Sequence, residues 1–396
     1  MNFSLLFDLD DTLLDTNLDA FLGAYFKKFA VFMAKFVPPD QFIDAMLRNT
    51  QLMYHNQRAD YTLEQAFSEN FYPSMGLQQA ELAAEIDRFY DEVFPSLQSL
   101  TTPRPEAVAL VEWALSQGWN VAIATDPLFP RKAILHRLRW AGLDPEKYPF
   151  TLISDFQTFH FAKASVAYYP EFLARMGWTD SPLLMVGDSL ERDVLPSQQA
   201  GLPVFWLNQG LASTALVAPH RQGGFADLKH YLESSDLASL KVDYAAPAAL
   251  GAFLQATPAA LHTLSLDLTS DQWTRRAQPT EWSLLEVFCH LRDVDTEVNL
   301  ARLETILGGE NPFIYAQETD QWAAGRKYNL QDPGAALADF VLSRKSLVDK
   351  LAALSSSDWQ RPARHTIFGP TTLRELVEFM VDHDRIHIQQ AFMALK

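Results

Sequence analysis

The sequence predicts two parts, a parallel α/β sheet with a helical insertion and then an all-α four-helix bundle. Up to about residue 236, short apolar runs without a helical period alternate with helical patterns, which is typical of a parallel sheet. Aromatic-rich helical sequence interrupts this alternation at residues 15–98. Beyond residue 236 we expect no further strand, and four amphipathic stretches have the length of bundle helices.

The element bounds follow from these patterns. Each predicted strand is compact and apolar, and the second and third follow Gly118 and Pro182. The predicted strands are residues 3–7, 119–124, 183–186 and 204–207, and the predicted bundle helices are 246–265, 283–308, 334–354 and 372–394. The predicted domains are a core of residues 1–14 and 99–236, a helical cap of residues 15–98, a linker of residues 237–245 and a bundle of residues 246–396.

Composition limits the function classes. The net charge is −17, with 49 acidic and 32 basic residues among 396, so the chain would repel nucleic acid. No apolar run reaches the ~18 residues that a membrane span needs, and the acidic start does not resemble a signal peptide. We therefore expect a cytoplasmic protein without nucleic-acid or membrane partners. Cys289 is the single cysteine, which excludes intrachain disulfides.

Acidic and phosphate-binding side chains recur after the predicted strands. Asp8 and Asp10 follow the first strand, and alternation along an extended chain directs both side chains the same way. Since the carboxyl ends of parallel strands meet at one edge, later polar groups should join them there. An aspartate can attack phosphorus, and carboxylate oxygens suit Mg²⁺. The later groups are Thr125, Lys163, Asp188 and Asp193.

This ordered set resembles the four motifs of the haloacid dehalogenase-like superfamily over residues 1–236. The matching segments are residues 8–12, Thr125, Lys163 and residues 187–193. The resemblance implies a Rossmann-like, doubly wound sheet whose inserted helical cap is residues 15–98. It also implies a Mg²⁺-dependent phosphatase that acts on a small phosphorylated metabolite.

The resemblance assigns a catalytic role to some of these residues. Asp8 would be the nucleophile and Asp10 the general acid and base. Thr12, Thr125 and Lys163 would bind the phosphoryl group of the substrate.

The metal ligands implied by the resemblance are Asp8, Asp188 and the backbone of Asp10. Asp193 would be either a further carboxylate of the metal site or the partner that orients Lys163.

Asp10 separates two branches of this superfamily. A halide leaving group needs no acid, whereas an ester needs its alkoxide protonated, so Asp10 favours a phosphatase over a dehalogenase.

Two residues depart from the common pattern of this superfamily. Asp126 stands where Asn commonly follows the motif Thr, and Ala164 replaces a frequent Pro. Asp126 adds negative charge beside the phosphate pocket.

Three histidines fall on apolar stripes of two predicted bundle helices. His383 and His387 are four residues apart, so on a helix both imidazoles can direct a nitrogen to the same point. His290 supplies a third nitrogen. Three nitrogens suit Zn²⁺, Ni²⁺ or Fe²⁺ and leave positions for water. Glu286, one turn before His290, is either its hydrogen-bond acceptor or a helix cap. His365 is predicted to lie in a loop, off this pattern.

Residues 244–396 resemble the DinB-like metal-binding four-helix bundles. The matching features are Trp282 with Glu286 and His290, residues 322–328, Arg344, residues 359–365 and residues 383–387. The resemblance implies a metal site of His290, His383 and His387, and a low-molecular-weight thiol as a candidate partner. Two alternatives stay open: a bundle that is the main functional unit as a metal-dependent thiol transferase or hydrolase, and a non-catalytic sensing module, each with a weak or inactive N-terminal site.

Overall fold

The structure is a computed structural model that describes residues 2–208, 210 and 214–396. No helix in this part of the chain is long and apolar enough to cross a membrane. The chain forms two units, which are Met1–Tyr168, Asp180–Gln198 and Leu202–Val242 in the first, and Tyr169–Thr179, Gln199–Gly201 and Asp243–Lys396 in the second. The domain boundaries predicted from the sequence, with residues 237–245 as a linker, stay a proposal.

The α/β elements occupy the chain up to residue 234. Their helices and strands alternate after an early helical insertion. In chain order they are β1 (Ser4–Phe7), β2 (Leu14–Thr16), α1 (Leu18–Met33), α2 (Pro39–Tyr54), α3 (Leu63–Phe71), α4 (Gln79–Glu92), β3 (Thr101–Pro103), α5 (Pro105–Ser116), β4 (Asn120–Ile123), α6 (Arg131–Trp140), α7 (Tyr168–Arg175), β5 (Leu183–Gly187), α8 (Leu195–Gln199), β6 (Val204–Leu207), β7 (Gln222–Gly223) and α9 (Phe225–Ser234).

Strand β1 lies inside a five-stranded parallel sheet of order β4-β1-β5-β6-β7. Leu6 pairs with Ala122 of β4 on one side and with Met185 of β5 on the other. All four residues of β1 are buried, because helices cover both faces of a sheet of this kind. The predicted parallel α/β sheet is confirmed, and the four predicted strands match β1, β4, β5 and β6 to within one residue at each end.

The helices α1 to α4 form the cap, and a two-stranded ladder stands at its base. Strand β2 leads into the cap and β3 leads out of it, and the two pair antiparallel with Leu14 opposite Pro103. Aromatic side chains fill the interior of the cap, where the rings of Phe29 and Phe89 stack at 3.9 Å between centroids. The inserted helical cap is therefore present where the aromatic-rich sequence predicted helices.

The remaining elements are mainly helical. Their long helices correspond to the four that the sequence predicted. In chain order they are α10 (Pro247–Ser265), α11 (Ser270–Thr274), α12 (Leu284–Val294), α13 (Leu300–Gly308), β8 (Phe313–Ile314), α14 (Trp322–Gly325), α15 (Pro333–Ala352), β9 (Pro362–His365), β10 (Gly369–Thr372) and α16 (Leu373–Leu395).

Four long helical stretches pack together as a bundle. Helix α12 continues through a π-helical turn, Asp295–Asn299, into α13, so the predicted helix 283–308 is a single stretch with one irregular turn. Arg344 of α15 is buried in the bundle and forms ion pairs with Asp295 and with Asp384 of α16. The guanidinium of Arg344 and the two carboxylates are buried together, so each charge has an opposite charge beside it. The predicted C-terminal helical bundle is confirmed.

Two expectations about the bundle were wrong. Strands β8, β9 and β10 form a small sheet after residue 236, and His365 ends β9 instead of lying in a loop. Pro362 and Pro370 stand in the two paired strands and obscure the alternation that would have revealed them. Gly369, the first residue of β10, has a φ of 75°.

Candidate active site and metal centres

Three carboxylates converge where β1 and β5 end. Asp8 follows β1, Asp188 follows β5, and Asp193 lies in a π-helical turn, Leu190–Val194. Each offers an oxygen within 4.8 Å of an oxygen of the other two. Because β4 and β5 flank β1 on opposite sides, this edge is the place where an open α/β sheet leaves a crevice for a ligand.

A buried ammonium group lies between two of these carboxylates. Lys163 is 1% exposed, and its Nζ donates to Asp8 Oδ1 at 2.5 Å and also to Asp193 Oδ1. Burial disfavours the ammonium, but the charges of Asp193 and Asp8 outweigh burial and raise the pKa of Lys163 above its ordinary 10.5. Lys163 is therefore a fixed positive charge at neutral pH.

The carboxylates still carry more negative charge than Lys163 offsets. Burial raises the pKa of Asp188, and the charges of Asp8 and Asp193 raise it further. Burial also raises the pKa of Asp193, although Lys163 acts in the opposite direction. A divalent cation would offset this surplus, and carboxylate oxygens are the ligands that Mg²⁺ prefers. The three side chains therefore fit a magnesium site.

Asp193 reaches this cluster because residue 187 has no side chain. A Cβ on Gly187 would overlap the carboxylate of Asp193. The backbone N–H of Ser189 donates to Asp193 Oδ2 at 2.9 Å, while Lys163 donates to Oδ1. These contacts suit a residue that orients Lys163, and the proximity to Asp8 also suits a metal ligand.

The carboxylate of Asp10 has a different set of partners. Thr16 Oγ1 donates to Asp10 Oδ1 at 3.2 Å, and Arg137 Nη1 donates to Oδ2. Arg137 belongs to α6, is 1% exposed and lies with its guanidinium 4.4 Å from the centroid of the Phe129 ring. Sequence reasoning missed Arg137. Its position among the apolar residues of α6 was the available signal, since a charged residue on a buried helix face needs a partner.

Two threonines complete the edge. Thr12 Oγ1 donates to Asp188 Oδ1 at 3.2 Å. Thr125 is buried, and its carbonyl oxygen accepts from Ser154 Oγ at 2.7 Å and from the Tyr168 hydroxyl at 2.8 Å. These bonds fix the backbone after β4, and Thr125 lines the same cavity as Asp8.

Asp126, the unusual residue after Thr125, acts here as a hydrogen-bond acceptor. Its Oδ1 accepts the backbone N–H of Lys163 at 3.2 Å. Burial raises the pKa of Asp126, and the charges of Lys163 and Arg192 act in the opposite direction. Arg192 is a second positive charge near the cluster that sequence reasoning missed, although it stands between the motif residues Asp188 and Asp193.

The three predicted histidines meet in the bundle. His383 Nε2 lies 3.1 Å from His290 Nε2 and 3.0 Å from His387 Nε2. Helix α12 supplies His290 and α16 supplies the other two, one turn apart. Such short distances between nitrogens leave room for a shared proton or metal ion at one point.

Neighbouring side chains orient these imidazoles. The His387 ring stacks on Trp282 at 5.2 Å between centroids, and its Nδ1 lies 2.7 Å from Gln390 Oε1. An Nδ1 proton donated to Gln390 leaves the lone pair of Nε2 directed at the centre of the cluster. Glu286 caps its helix by accepting the N–H of Ser283 and also pairs with Arg276, so it is not the acceptor for His290. His290 Nδ1 has no hydrogen-bond partner among the described residues.

All three imidazoles resist protonation. Burial is the main cause, and it lowers the pKa of His290 to about 2, of His387 to about 3 and of His383 to about 4. Neighbouring histidines contribute to the shifts of His290 and His387. Neutral imidazoles are the form that binds metal, so the donor set fits a divalent transition metal.

Comparisons with known proteins identify both parts of the chain. The model of the haloacid dehalogenase-like hydrolase family matches residues 4–201, half of the chain, and the model of the DinB superfamily matches residues 254–391. The chain therefore belongs to the haloacid dehalogenase-like hydrolases. It joins a domain of that family to a DinB-like domain.

Individual relatives are distant. The uncharacterized protein YuaE of Bacillus subtilis is 23% identical over 136 residues, which cover 31% of this chain and 83% of YuaE. A HAD phosphatase from Thermococcus onnurineus is 17% identical, with 59% of this chain and 98% of that chain covered and a TM-score of 0.39. YfiT from Bacillus subtilis, which has an unusual four-helix bundle topology, is 20% identical, with 39% and 88% covered and a TM-score of 0.35.

Proposed function

We propose that the first unit hydrolyses a phosphate monoester of a small metabolite, with Mg²⁺ and through an aspartyl-phosphate on Asp8. The observation that carries this proposal is the cluster at the edge of the sheet. Asp8 lies there within 4.8 Å of Asp188 and Asp193, with the ammonium of Lys163 bound to it. A nucleophile, a fixed cation and a set of hard metal ligands thus surround one point.

The reaction needs two displacements at phosphorus. Asp8 attacks phosphorus, the bond to the ester oxygen breaks, and Asp10 gives its proton to the departing alkoxide. Asp10 then takes a proton from water, and the resulting hydroxide displaces Asp8 to release phosphate. Asp8 is thereby free again and Asp10 is protonated, so both residues return to their starting states.

Other side chains hold the phosphoryl group. Lys163 and the hydroxyl of Thr125 stabilise the oxygens of the transferred group, and Thr12 keeps Asp188 in place. Mg²⁺ would be held by Asp8, Asp188 and the backbone of Asp10, with Asp193 adjacent, and would neutralise phosphate charge next to Asp8. Arg137 fixes the direction in which the Asp10 carboxylate points. Asp10 favours ester hydrolysis over dehalogenation, because an alkoxide needs a proton to leave.

Replacing the nucleophile tests this proposal. Asp8→Asn should abolish Mg²⁺-dependent phosphate release across a panel of phosphorylated metabolites. The rate should fall by a factor on the order of 1000 or more, as expected when a nucleophile is lost. Asp19→Asn, the same change at an exposed position of α1, should keep wild-type release. Both variants should unfold cooperatively on heating, which shows that they are folded. Phosphate release that survives in Asp8→Asn would sink the proposal.

We also propose that the second unit binds one divalent transition metal through His290, His383 and His387. The supporting observation is that three Nε2 atoms lie together. His383 Nε2 is 3.1 Å from His290 Nε2 and 3.0 Å from His387 Nε2. Three protein nitrogens leave coordination positions for water or substrate, as in hydrolytic metal sites. Burial raises the pKa of the Cys289 thiol to about 11, so thiol chemistry would need a thiol from outside the chain.

Metal content tests the second proposal. The purified protein should hold about one Zn²⁺, Ni²⁺ or Fe²⁺ per chain by elemental analysis, and His387→Ala should lose it. His220→Ala, which removes an exposed histidine elsewhere, should not. Equal metal content in wild type and His387→Ala would refute the triad. Metal binding without phosphate release from any ester would favour the bundle as the functional unit.

A further inference from the structure

A cavity connects the catalytic edge to the interior of the cap. Its volume is about 320 Å³, which lies in the range of small-molecule sites. One end is formed by Asp8, Asp10 and Lys163. The other end is lined mainly by apolar and aromatic side chains, which include Leu22, Phe26, Phe67, Tyr72, Ile86 and Phe129.

The charged groups of this cavity are unevenly placed. Its cations are Lys163, which is bound to Asp8, and Arg192, whose charge acts on Asp126 and Asp8. Among the described residues that line the cavity, the cap contributes no Lys, Arg or His. Arg137 does not line the cavity and is paired with Asp10.

The acidic residue that the cap contributes is Glu64, on α3. Glu64 is half-buried, and burial raises the pKa of its carboxyl, as does the charge of Asp155. A second carboxylate or phosphate on the substrate would enter this region beside Glu64 and without a cation, which is costly in an apolar cavity. An apolar group would instead leave water and contact the aromatic side chains.

We propose that this site takes phosphate monoesters of a large apolar alcohol and rejects monoesters with a second anionic group. The proposal rests on the phosphatase activity proposed above and adds the class of substrate. The phosphate would lie at Asp8 and Lys163, and the alcohol would extend between α1, α2 and α3. Specificity then arises from the burial of apolar surface and from the negative charge of Glu64.

A homologous series of esters tests the apolar part. Full burial of a methylene gives about a fourfold gain in binding, so kcat/KM should rise on the order of 100-fold from ethyl to hexyl phosphate. Phosphoglycolate, with its second anion, should be a worse substrate than ethyl phosphate. If kcat/KM does not change from ethyl to hexyl phosphate, the proposed substrate class is wrong. It is also wrong if kcat/KM is highest for phosphoglycolate or phosphocholine. In both cases the protein would still be a phosphatase.

A variant of the cap wall tests the charge part. Ser68→Arg adds a cation to the cavity wall from α3, and it should lower kcat/KM for hexyl phosphate at least tenfold while raising that for phosphoglycolate. Asn70→Arg adds the same charge on the same helix at an exposed position outside the cavity, and both kcat/KM values should stay at wild type. Thermal unfolding of both variants checks that they fold. Unchanged specificity in a folded Ser68→Arg protein would contradict the inference.

A binding measurement separates failure of this inference from failure of the proposed activity. Hexyl and ethyl phosphate can be titrated calorimetrically into the Asp8→Asn protein with Mg²⁺, where no turnover is expected. Affinity should be on the order of 100-fold higher for hexyl phosphate. Equal affinities would overturn the substrate class whether or not the wild type hydrolyses any ester.

Discussion

The carboxylate cluster of the first unit and the histidine cluster of the second unit each contain three side chains with ligand atoms within 4.8 Å of one another, yet their electrostatics are opposite. Burial raises the pKa of Asp188 and Asp193, so these groups resist losing a proton. Burial lowers the pKa of His290, His383 and His387, so these groups resist gaining one.

This difference shows how the same burial would suit the two clusters to the two proposed kinds of metal site. In the first unit, excess negative charge is partly offset by an internal cation, Lys163, and a hard divalent ion would offset the rest. In the second unit, neutral nitrogens carry no charge that needs an internal partner, and they suit softer metals. The carboxylates follow strand ends, whereas the imidazoles are fixed on two helices.

The largest expected effect comes from removing the internal cation. Lys163→Met leaves Asp8 and Asp193 buried without their partner, and the free energy of unfolding should fall by about 3–5 kcal/mol. Urea unfolding measures this change. Lys147→Met removes an exposed lysine and should alter stability by less than about 0.5 kcal/mol. A similarly small effect of Lys163→Met would mean that the carboxylate cluster does not depend on an internal charge.

In metal-free protein, acid should change the stability of the two units in opposite directions. Below pH 6.5 the unfolded histidines bind protons that the folded ones do not, so the bundle loses about 1.4 kcal/mol per pH unit for each imidazole that stays neutral. Folded Asp188 and Asp193 take up protons above the ordinary pKa of 3.8, so the first unit gains stability as the pH falls toward that value.

Hydrogen exchange can follow both units in one sample. Protection of amides in β1 and β5 should rise between about pH 7 and pH 5, and protection in α12 and α16 should fall, after correction for the intrinsic exchange rate. Saturating Zn²⁺ should reduce the loss in the bundle, because bound metal keeps the imidazoles unprotonated. Parallel changes in both units would show that the two clusters do not respond to acid in opposite ways.

The smallest effect concerns the orientation of one imidazole. Gln390→Leu removes the acceptor beside His387 Nδ1 and should weaken Zn²⁺ binding at least about tenfold, measured by competition with a chelator. Gln360→Leu, at an exposed position of the same domain, is the matched control and should bind Zn²⁺ as the wild type does. Wild-type affinity in Gln390→Leu would show that His387 is oriented without Gln390, by its helix and by stacking on Trp282.

Local sequence patterns were sufficient for the four longer strands of the parallel sheet and for the long bundle helices. The four buried strands were recognised because a fully buried parallel strand is a short apolar run, as in β1. Helix α16 was recognised from its apolar stripe and from Thr372 and Glu375, which form the capping box that the structure shows. The His383 and His387 pair followed directly from that helical phase.

Contacts between distant segments were not predictable in the same way. The pairing of Arg137 with Asp10 joins residues 127 positions apart, and nothing near either residue specifies the other. Strands β8 and β9 pair across the whole length of α15, and each is too short to show a period. The shape of the cavity depends on how the cap helices close over β1, so no single segment of the sequence contains it.

The ladder of β2 and β3 has an evolutionary consequence. Leu14 and Pro103 are paired neighbours, so the chain enters the cap and leaves it at almost the same point. A segment whose two ends are so close can be exchanged for another of different length without disturbing β1 or β4. New specificity can therefore be acquired by replacing one cassette, residues 17–100, while Asp8, Lys163 and Asp188 stay fixed. Grafting caps between related hydrolases at this ladder is a direct route to altered selectivity.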